Sequence, residues 1–177
     1  MQPNSKIMKR IVFILLLAIT LLSLGSCRKS GVNLFVGDYS FKTSGEISLT
    51  AQTDSTIIPA VLNASIINDV GQLNIAVSDK TSQEVLVVLN YMNGGVITTY
   101  GTCEGNRIEL EEFQRNSLPV SINVMFTNNS YITVGGTGTM YDDNMIVFDM
   151  TLNGKGTIGS VTYKIRDKNV KMVAYRN

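Results

Sequence analysis

Few residue types in this chain are able to carry out chemistry. Among its 177 residues there is no histidine, and the two cysteines are Cys27 and Cys103. Histidine is the commonest general base and the commonest metal ligand, so its absence excludes a Ser-His-Asp triad and makes a zinc site of the usual ligand types implausible. We therefore expect no catalytic residue, no metal and no cofactor, and we interpret the protein as a non-enzyme.

Two further chemical groups have ordinary structural interpretations. Glu109 and Glu111 alternate with Ile108 and Leu110, so the two carboxylates share one face of a predicted strand. Paired carboxylates are able to hydrolyse glycosides or bind Ca²⁺, but the alternation favours a solvated face. Cys103 ends a predicted strand without a nearby group that would lower its pKa, which indicates a structural thiol.

The N-terminal segment has the anatomy of an export signal. Lys6, Lys9 and Arg10 precede a run of fourteen mostly apolar residues, 11–24. As a helix this run would extend roughly 21 Å, which is short of the roughly 30 Å hydrocarbon core of a bilayer. The segment therefore predicts a secretory signal and not a transmembrane anchor.

A more specific motif follows the apolar run. Leu24-Gly25-Ser26-Cys27 resembles the lipobox of bacterial lipoproteins. The resemblance implies that a diacylglyceryl group is attached to the thiol of Cys27 and that a dedicated peptidase cuts between Ser26 and Cys27. The alternative is an ordinary cleavage site beside an unrelated cysteine. We predict a signal peptide over residues 1–26, a lipidated cysteine and tether over 27–37, and one domain over 38–177.

The charge of the chain argues against a nucleic-acid partner. The full chain carries a formal charge of +1; residues 1–26 contain three of its 15 basic residues and none of its 14 acidic ones, so the remainder carries −2. Such a chain has no basic stripe for a polyanion. We expect attachment to the membrane through the lipid on Cys27 alone.

From residue 38 onward, alternation between apolar and polar residues replaces helical periodicity. Short connections with Gly, Asn and Asp favour an all-β, up-and-down antiparallel barrel of about 8–11 strands, with a β-sandwich as the alternative. The predicted strands are Tyr39–Thr50, Ile57–Ile67, Gln72–Ser78, Glu84–Tyr91, Val96–Cys103, Arg107–Phe113, Val120–Thr127, Tyr131–Tyr141, Met145–Leu152, Val161–Arg166 and Asn169–Tyr175.

The alternation also predicts which side chains face the interior. Asn74, Ser78 and Asp149 are expected to face outward or to lie at a rim. The predicted inward residues are Leu73, Ile75, Val77, Phe126, Phe148 and Met150.

Three glycine-led segments carry a second resemblance. Residues 37–45 (Gly-Asp-Tyr-Ser-Phe-Lys-Thr-Ser-Gly), 71–75 (Gly-Gln-Leu-Asn-Ile) and 105–108 (Gly-Asn-Arg-Ile) resemble segments of the calycin-like (lipocalin-like) lipoproteins of Bacteroidetes. The Gly-x-Trp signature of true lipocalins is absent. The resemblance implies an antiparallel barrel behind a lipobox.

This resemblance bears on location and modification. Surface lipoproteins of Bacteroidetes typically carry acidic residues after the lipidated cysteine, whereas Arg28-Lys29-Ser30-Gly31 follows here. We therefore predict an outer-membrane lipoprotein that faces the periplasm, with the cell surface as the alternative. Asp54-Ser55-Thr56 resembles the O-glycosylation acceptor of exported Bacteroidetes proteins, which would modify Ser55. An unmodified turn is the other interpretation.

These observations predict a lipid-anchored lipoprotein of the cell envelope. We expect a non-enzymatic binding module for a small apolar ligand or for a partner protein of the envelope. The alternative is a structural or accessory subunit of an outer-membrane assembly. An open apolar cavity of several hundred Å³ would favour the small ligand, and a solid core would favour the accessory role.

Overall fold

Eight strands form a closed antiparallel ring in a computed structural model that describes residues 31–52, 61–121, 130–158 and 161–177. Each strand pairs with its neighbours in sequence, and β1 also pairs with β8. A short helix, α1 (Val32–Phe35), precedes the ring. The strands are β1 Gly37–Ala51, β2 Val61–Val77, β3 Glu84–Tyr91, β4 Gly95–Glu104, β5 Arg107–Arg115, β6 Tyr131–Tyr141, β7 Met145–Ile158 and β8 Val161–Arg176.

The predicted up-and-down barrel is confirmed, and the sandwich alternative is wrong because the sheet closes on itself. The strand number lies at the low end of the predicted range because some predicted strands merge. The predicted strands Val161–Arg166 and Asn169–Tyr175 both belong to β8. Glu46 pairs with Asn169 and Ile47 with Asp167, so Lys168 between them is the extra residue of a bulge and not part of a turn. The predicted strands on either side of Asn68 likewise form β2. Most of the predicted strand Val120–Thr127 lies outside the described residues.

Two tight turns contain Gly and Asp, the residue types expected in the short connections between strands. Gly105 adopts a φ of 59° between β4 and β5, and Asp142 and Asp143 adopt 51° and 57° between β6 and β7. Positive φ at both central residues matches the right-handed twist of the flanking strands. The aspartates therefore shape a hairpin.

The interior of the barrel is filled with apolar side chains. Leu73, Ile75, Phe148 and Met150 are buried, as the alternation predicts, while Asn74 and Asp149 are exposed. Ser78 lies at the rim just beyond β2 but is buried, because its hydroxyl donates to the Glu84 carboxylate at 2.7 Å. The prediction for Val77 is wrong: its side chain is 55% exposed because it is the last residue of β2 and lies at the rim. Phe126 lies outside the described residues.

Side chains also close the two ends of the barrel. At the α1 end, which carries the β4–β5 and β6–β7 turns and the C-terminus, Leu34 and Phe35 are buried. At the opposite end, called the far end below, Leu118 and Val120 are buried, and Val120 forms a bridge with Ile66 of β2. None of the helices in the described ranges combines the length and the apolar composition needed to cross a membrane.

A latch formed by Arg176 and Tyr39 holds α1 against the barrel. The guanidinium of Arg176 donates hydrogen bonds to the carbonyl oxygens of Leu34 and Val36, each at 2.7 Å, and of Asp143 at 2.9 Å. The Tyr39 hydroxyl donates to the carbonyl of Phe35 at 2.7 Å. Burial raises the pKa of Tyr39 to about 12, although the charge of Arg176 acts in the opposite direction. The first and last strands thus fix the helix together.

Adjacent residues of β7 provide a test of which strand face points inward. Phe148→Asp should lower the free energy of unfolding by more than about 3 kcal/mol, because it places an unpaired charge in the core. Asp149→Ala should cost less than about 0.5 kcal/mol, because an exposed ion pair such as that with Lys171 contributes little. Urea unfolding of both variants measures the difference, and a reversed order would contradict the assigned faces.

Candidate functional site

The shortest ladder among the described strands joins β4 and β5, and the place where these two strands separate is called the seam below. Their ladder covers only four residue pairs, Gly101–Glu104 with Arg107–Leu110. Beyond Gly101, the described parts of β4 and β5 have no further residue pairs with each other. A bulge in β5 between Leu110 and Phe113 shifts the register of β5 against β6. The bulge begins at the residue where the pairing of β5 with β4 ends. The Thr99 hydroxyl donates to the carbonyl of Glu111 at 3.0 Å.

A groove with a volume of about 460 Å³ lies over the opened seam at the far end. Its rim is apolar, with Val96 65% exposed and Tyr131 73% exposed. Exposed aromatic and aliphatic side chains beside a few polar groups are typical of binding surfaces. This seam groove is lined by Gly94, Val96, Ile97, Gln114, Arg115, Asn116, Ser130 and Tyr131.

The floor of the seam groove contains a buried ion pair. Arg115 donates two hydrogen bonds to the carboxylate of Asp69, at 2.8 and 2.9 Å. The two side chains are only 4% and 3% exposed. The guanidinium carbon of Arg115 lies 3.8 Å from the centre of the Tyr91 ring, and Phe41 contacts Tyr91 edge to face at 5.0 Å. The bidentate geometry and the aromatic face together orient the arginine.

The environment of the ion pair changes the acidity of its members. Burial acts to lower the pKa of Arg115, but the hydrogen bonds and charge of Asp69, with a contribution from Tyr91, raise it above its usual value. Burial raises the pKa of Tyr91 to about 12, against a smaller lowering by Arg115. Arg115 therefore stays charged and Tyr91 stays neutral at physiological pH.

Two buried hydroxyls lie near this polar layer. Within the described part of the chain, Thr43 Oγ1 and Ser130 Oγ are buried without a hydrogen-bond partner. Thr43 is the cross-strand neighbour of Asp69, and Ser130 lines the seam groove. The far end of the core thus combines an ion pair with unused hydrogen-bonding capacity.

The sequence-predicted residues lie apart from this groove. Cys103 is buried, as predicted for a structural thiol, and burial raises its pKa to about 11. Glu109 and Glu111 are exposed, and among the described residues no group of three or more acidic or cysteine side chains is placed to hold a metal ion. The predicted cleavage site Ser26–Cys27, the lipidation site Cys27 and the glycosylation site Ser55 lie outside the described residues.

Sequence reasoning missed the ion pair, although the alternation contained a signal for it. Arg115 lies two residues after the buried Phe113, and Asp69 lies four residues before the buried Leu73. Both charges therefore occupy inward positions of their strands. A charged residue at an inward position of a barrel strand indicates a buried partner. The predicted strands stopped at Ile67 and at Phe113, however, so neither charge was assigned to a strand.

Comparisons with known proteins give no family. No family model and no curated protein matches the chain. Among solved structures it is similar to a redesigned β-barrel, b11L5F_LGL, with 11% identity over 83% of this chain and 95% of that one and a TM-score of 0.39. It is also similar to EF1p2_mFAP2b bound to DFHBI, with 12% identity over 81% of this chain and 94% of that one and a TM-score of 0.37. At such identities and TM-scores, neither similarity bears on function.

A double-mutant cycle tests the buried pair. Asp69→Leu or Arg115→Met alone should destabilise the fold by about 3–5 kcal/mol, because each leaves an unpaired buried charge. The double variant should be more stable than either single variant, as measured by urea unfolding. The exposed pair Asp149–Lys171, whose charged atoms lie 3.2 Å apart, serves as the control and should couple by no more than about 1 kcal/mol. Simple additivity at Asp69 and Arg115 would contradict this account.

Proposed function

We propose that this protein is a lipid-anchored, non-enzymatic binding protein of the outer membrane, and that it holds an extended segment of a partner protein in the seam groove. The observation that carries the proposal is an open groove beside a filled barrel. Lipidation of Cys27 attaches the chain to the membrane, and the far end of the barrel contacts the partner.

The filled interior supports a protein partner over a small apolar ligand. A small-molecule site is usually a concave apolar cavity that covers most of its ligand. Here the inward positions hold buried side chains such as Leu73 and Phe148, while Phe35 and Leu118 close the two ends. A ligand of the lumen would have to displace this packing, whereas a partner at the seam groove would displace only water.

The opened seam supports an extended segment as the bound element. The N–H of Cys103 donates to the carbonyl of Gln83, on the β3 side. Since backbone groups alternate in direction along an antiparallel strand, the N–H groups of Thr98 and Val96 face β5, beyond the last pair of that ladder. Unpaired strand edges accept an additional strand through main-chain hydrogen bonds. The side chains of Val96 and Tyr131 offer apolar contacts to such a strand.

The basic residues Arg28 and Lys29 after the cysteine support a periplasm-facing orientation over the cell surface. A permanent complex formed through the same groove would make the protein an accessory subunit of an outer-membrane assembly. The proposal therefore covers both a transient and a permanent partner.

The anchor is tested by Cys27→Ser, with Cys103→Ser as the matched control. Serine has no thiol for lipid attachment, so the Cys27→Ser chain should remain soluble or unprocessed. The Cys103→Ser chain should still be acylated and recovered with membranes. Fractionation and intact mass measure both. A processed, membrane-bound Cys27→Ser chain would contradict the anchor.

The groove is tested by native mass spectrometry of the protein extracted from its own membranes. We expect the acylated chain in a complex of fixed stoichiometry with another polypeptide. Val96→Asp should abolish this complex because it places a charge on the groove rim. Val61→Asp changes a valine of β2 that is similarly exposed, 61% against 65% for Val96, and does not line the groove, so it should preserve the complex. Retention of a compound of a few hundred daltons by the isolated chain would instead favour the small-ligand function.

A further inference from the structure

We infer that the α1 end of the barrel rests on a lipid surface and that the seam groove points away from the membrane. This inference rests on the proposed lipidation of Cys27. The surface that would contact lipid is the rim formed by Val77, Tyr141 and Tyr175, called the α1 rim below.

The length of the tether limits where the membrane lies. Four residues separate Cys27 from Val32, the first residue of α1. Five extended steps along the chain span at most about 18 Å. The start of α1 therefore lies within about 18 Å of the lipidated cysteine.

The latch holds α1 against the barrel, so the residues of α1 do not unfold to lengthen the tether. Arg176 bonds to the carbonyls of Leu34 and Val36, and Tyr39 bonds to that of Phe35. Hydrogen bonds from a charged donor are stronger than those between neutral groups. Because Arg176 and Tyr39 belong to β8 and β1, release of α1 would break contacts with the two strands that close the barrel.

The barrel is longer than the tether. β4, whose first residues line the seam groove, contains 10 residues, and a rise of about 3.3 Å per residue at a tilt of about 40° gives roughly 25 Å along the axis. A tether of about 18 Å that starts at one end cannot hold the barrel inverted, with its far end toward the bilayer and its α1 end away from it. The far end, with the seam groove, is thus directed away from the membrane or to the side.

The α1 rim has side chains that suit a lipid headgroup layer. Val77, Tyr141 and Tyr175 are 55%, 48% and 58% exposed and lie at the ends of β2, β6 and β8. Tyrosine has an apolar ring and a polar hydroxyl, which suits it to the membrane interface.

Charges near the α1 rim indicate the class of lipid. Asp142 and Asp143 follow Tyr141, while Arg28 and Lys29 follow the lipidated cysteine. Exposed Asp38, Asp79 and Glu104 also lie at this end, against exposed Lys80 and Arg107. The described residues there have no excess of positive charge, so strong attraction to anionic lipid is not expected. A zwitterionic phospholipid surface is the matching partner.

The absence of tryptophan from the chain permits a direct test. Tyr141→Trp, Tyr175→Trp and Tyr131→Trp each introduce one fluorophore, the first two at the α1 rim and the third at the seam groove. The full acylated chains are reconstituted in phosphatidylcholine vesicles in which a fraction of the lipid carries a nitroxide on its headgroup. Fluorescence of the first two variants should fall by about half or more, and that of Tyr131→Trp by less than about a tenth.

The outcomes separate orientation from anchoring. Equal quenching in all three variants means that the barrel lies on its side, and no quenching means that it stands off the bilayer; either result overturns the inference. Intact mass and flotation are read on the same samples. A chain without the acyl group overturns the proposed anchor, whereas an acylated chain with uniform quenching overturns only the orientation.

Discussion

Pairing of β1 with both β2 and β8 is the constraint on which the rest of the structure depends. Gly45 permits the two contacts, because a Cβ there would lie 1.8 Å from the carbonyl oxygen of Asn169 in β8. Once the ring is closed, alternate side chains of every strand enter a single enclosed volume. Residues such as Phe148 and Ile75 fill this volume. Closure thereby gives each described strand a partner on both sides over part of its length, and the ladder between β4 and β5 is the shortest of those described.

The ion pair of Asp69 and Arg115 lies where the seam opens. It therefore affects both the stability of the fold and the shape of the seam groove. Removing one partner of a buried ion pair destabilises the fold, because the remaining charge is then buried without an opposite charge or water around it. The pair therefore holds the middle of β2 against the far end of β5 and keeps the floor of the seam groove in place. The stacking of Arg115 on Tyr91 extends the same restraint to β3. The groove is thus a surface opening that rests on a rigid support.

The parts of this structure that sequence predicts are those set by local patterns. Alternation gave the inward face of β7, and the positive-φ residues Asp142 and Asp143 gave a hairpin turn. The bulge at Lys168 escaped prediction because Lys-Asn in a bulge resembles Lys-Asn in a turn, and only pairing with Glu46 and Ile47 distinguishes them.

Local sequence patterns also could not predict contacts between residues that are far apart in the chain. Asp69 and Arg115 are 46 residues apart, and Arg176 bonds to a carbonyl 142 residues away. The identity of each partner depends on closure of the whole ring. The seam groove was hidden for the same reason, since it arises where one expected ladder stops.

The open seam is tested most directly by residue-resolved hydrogen exchange of the native protein. Thr98 and Thr102 are identical residues of β4 whose N–H groups face β5, but only Thr102 lies within the paired segment. The account predicts that the amide of Thr98 exchanges much faster than the amide of Thr102, with Thr99 protected by its pairing with β3. Equal protection of Thr98 and Thr102 would mean that the two strands pair along their whole length, and it would contradict the groove.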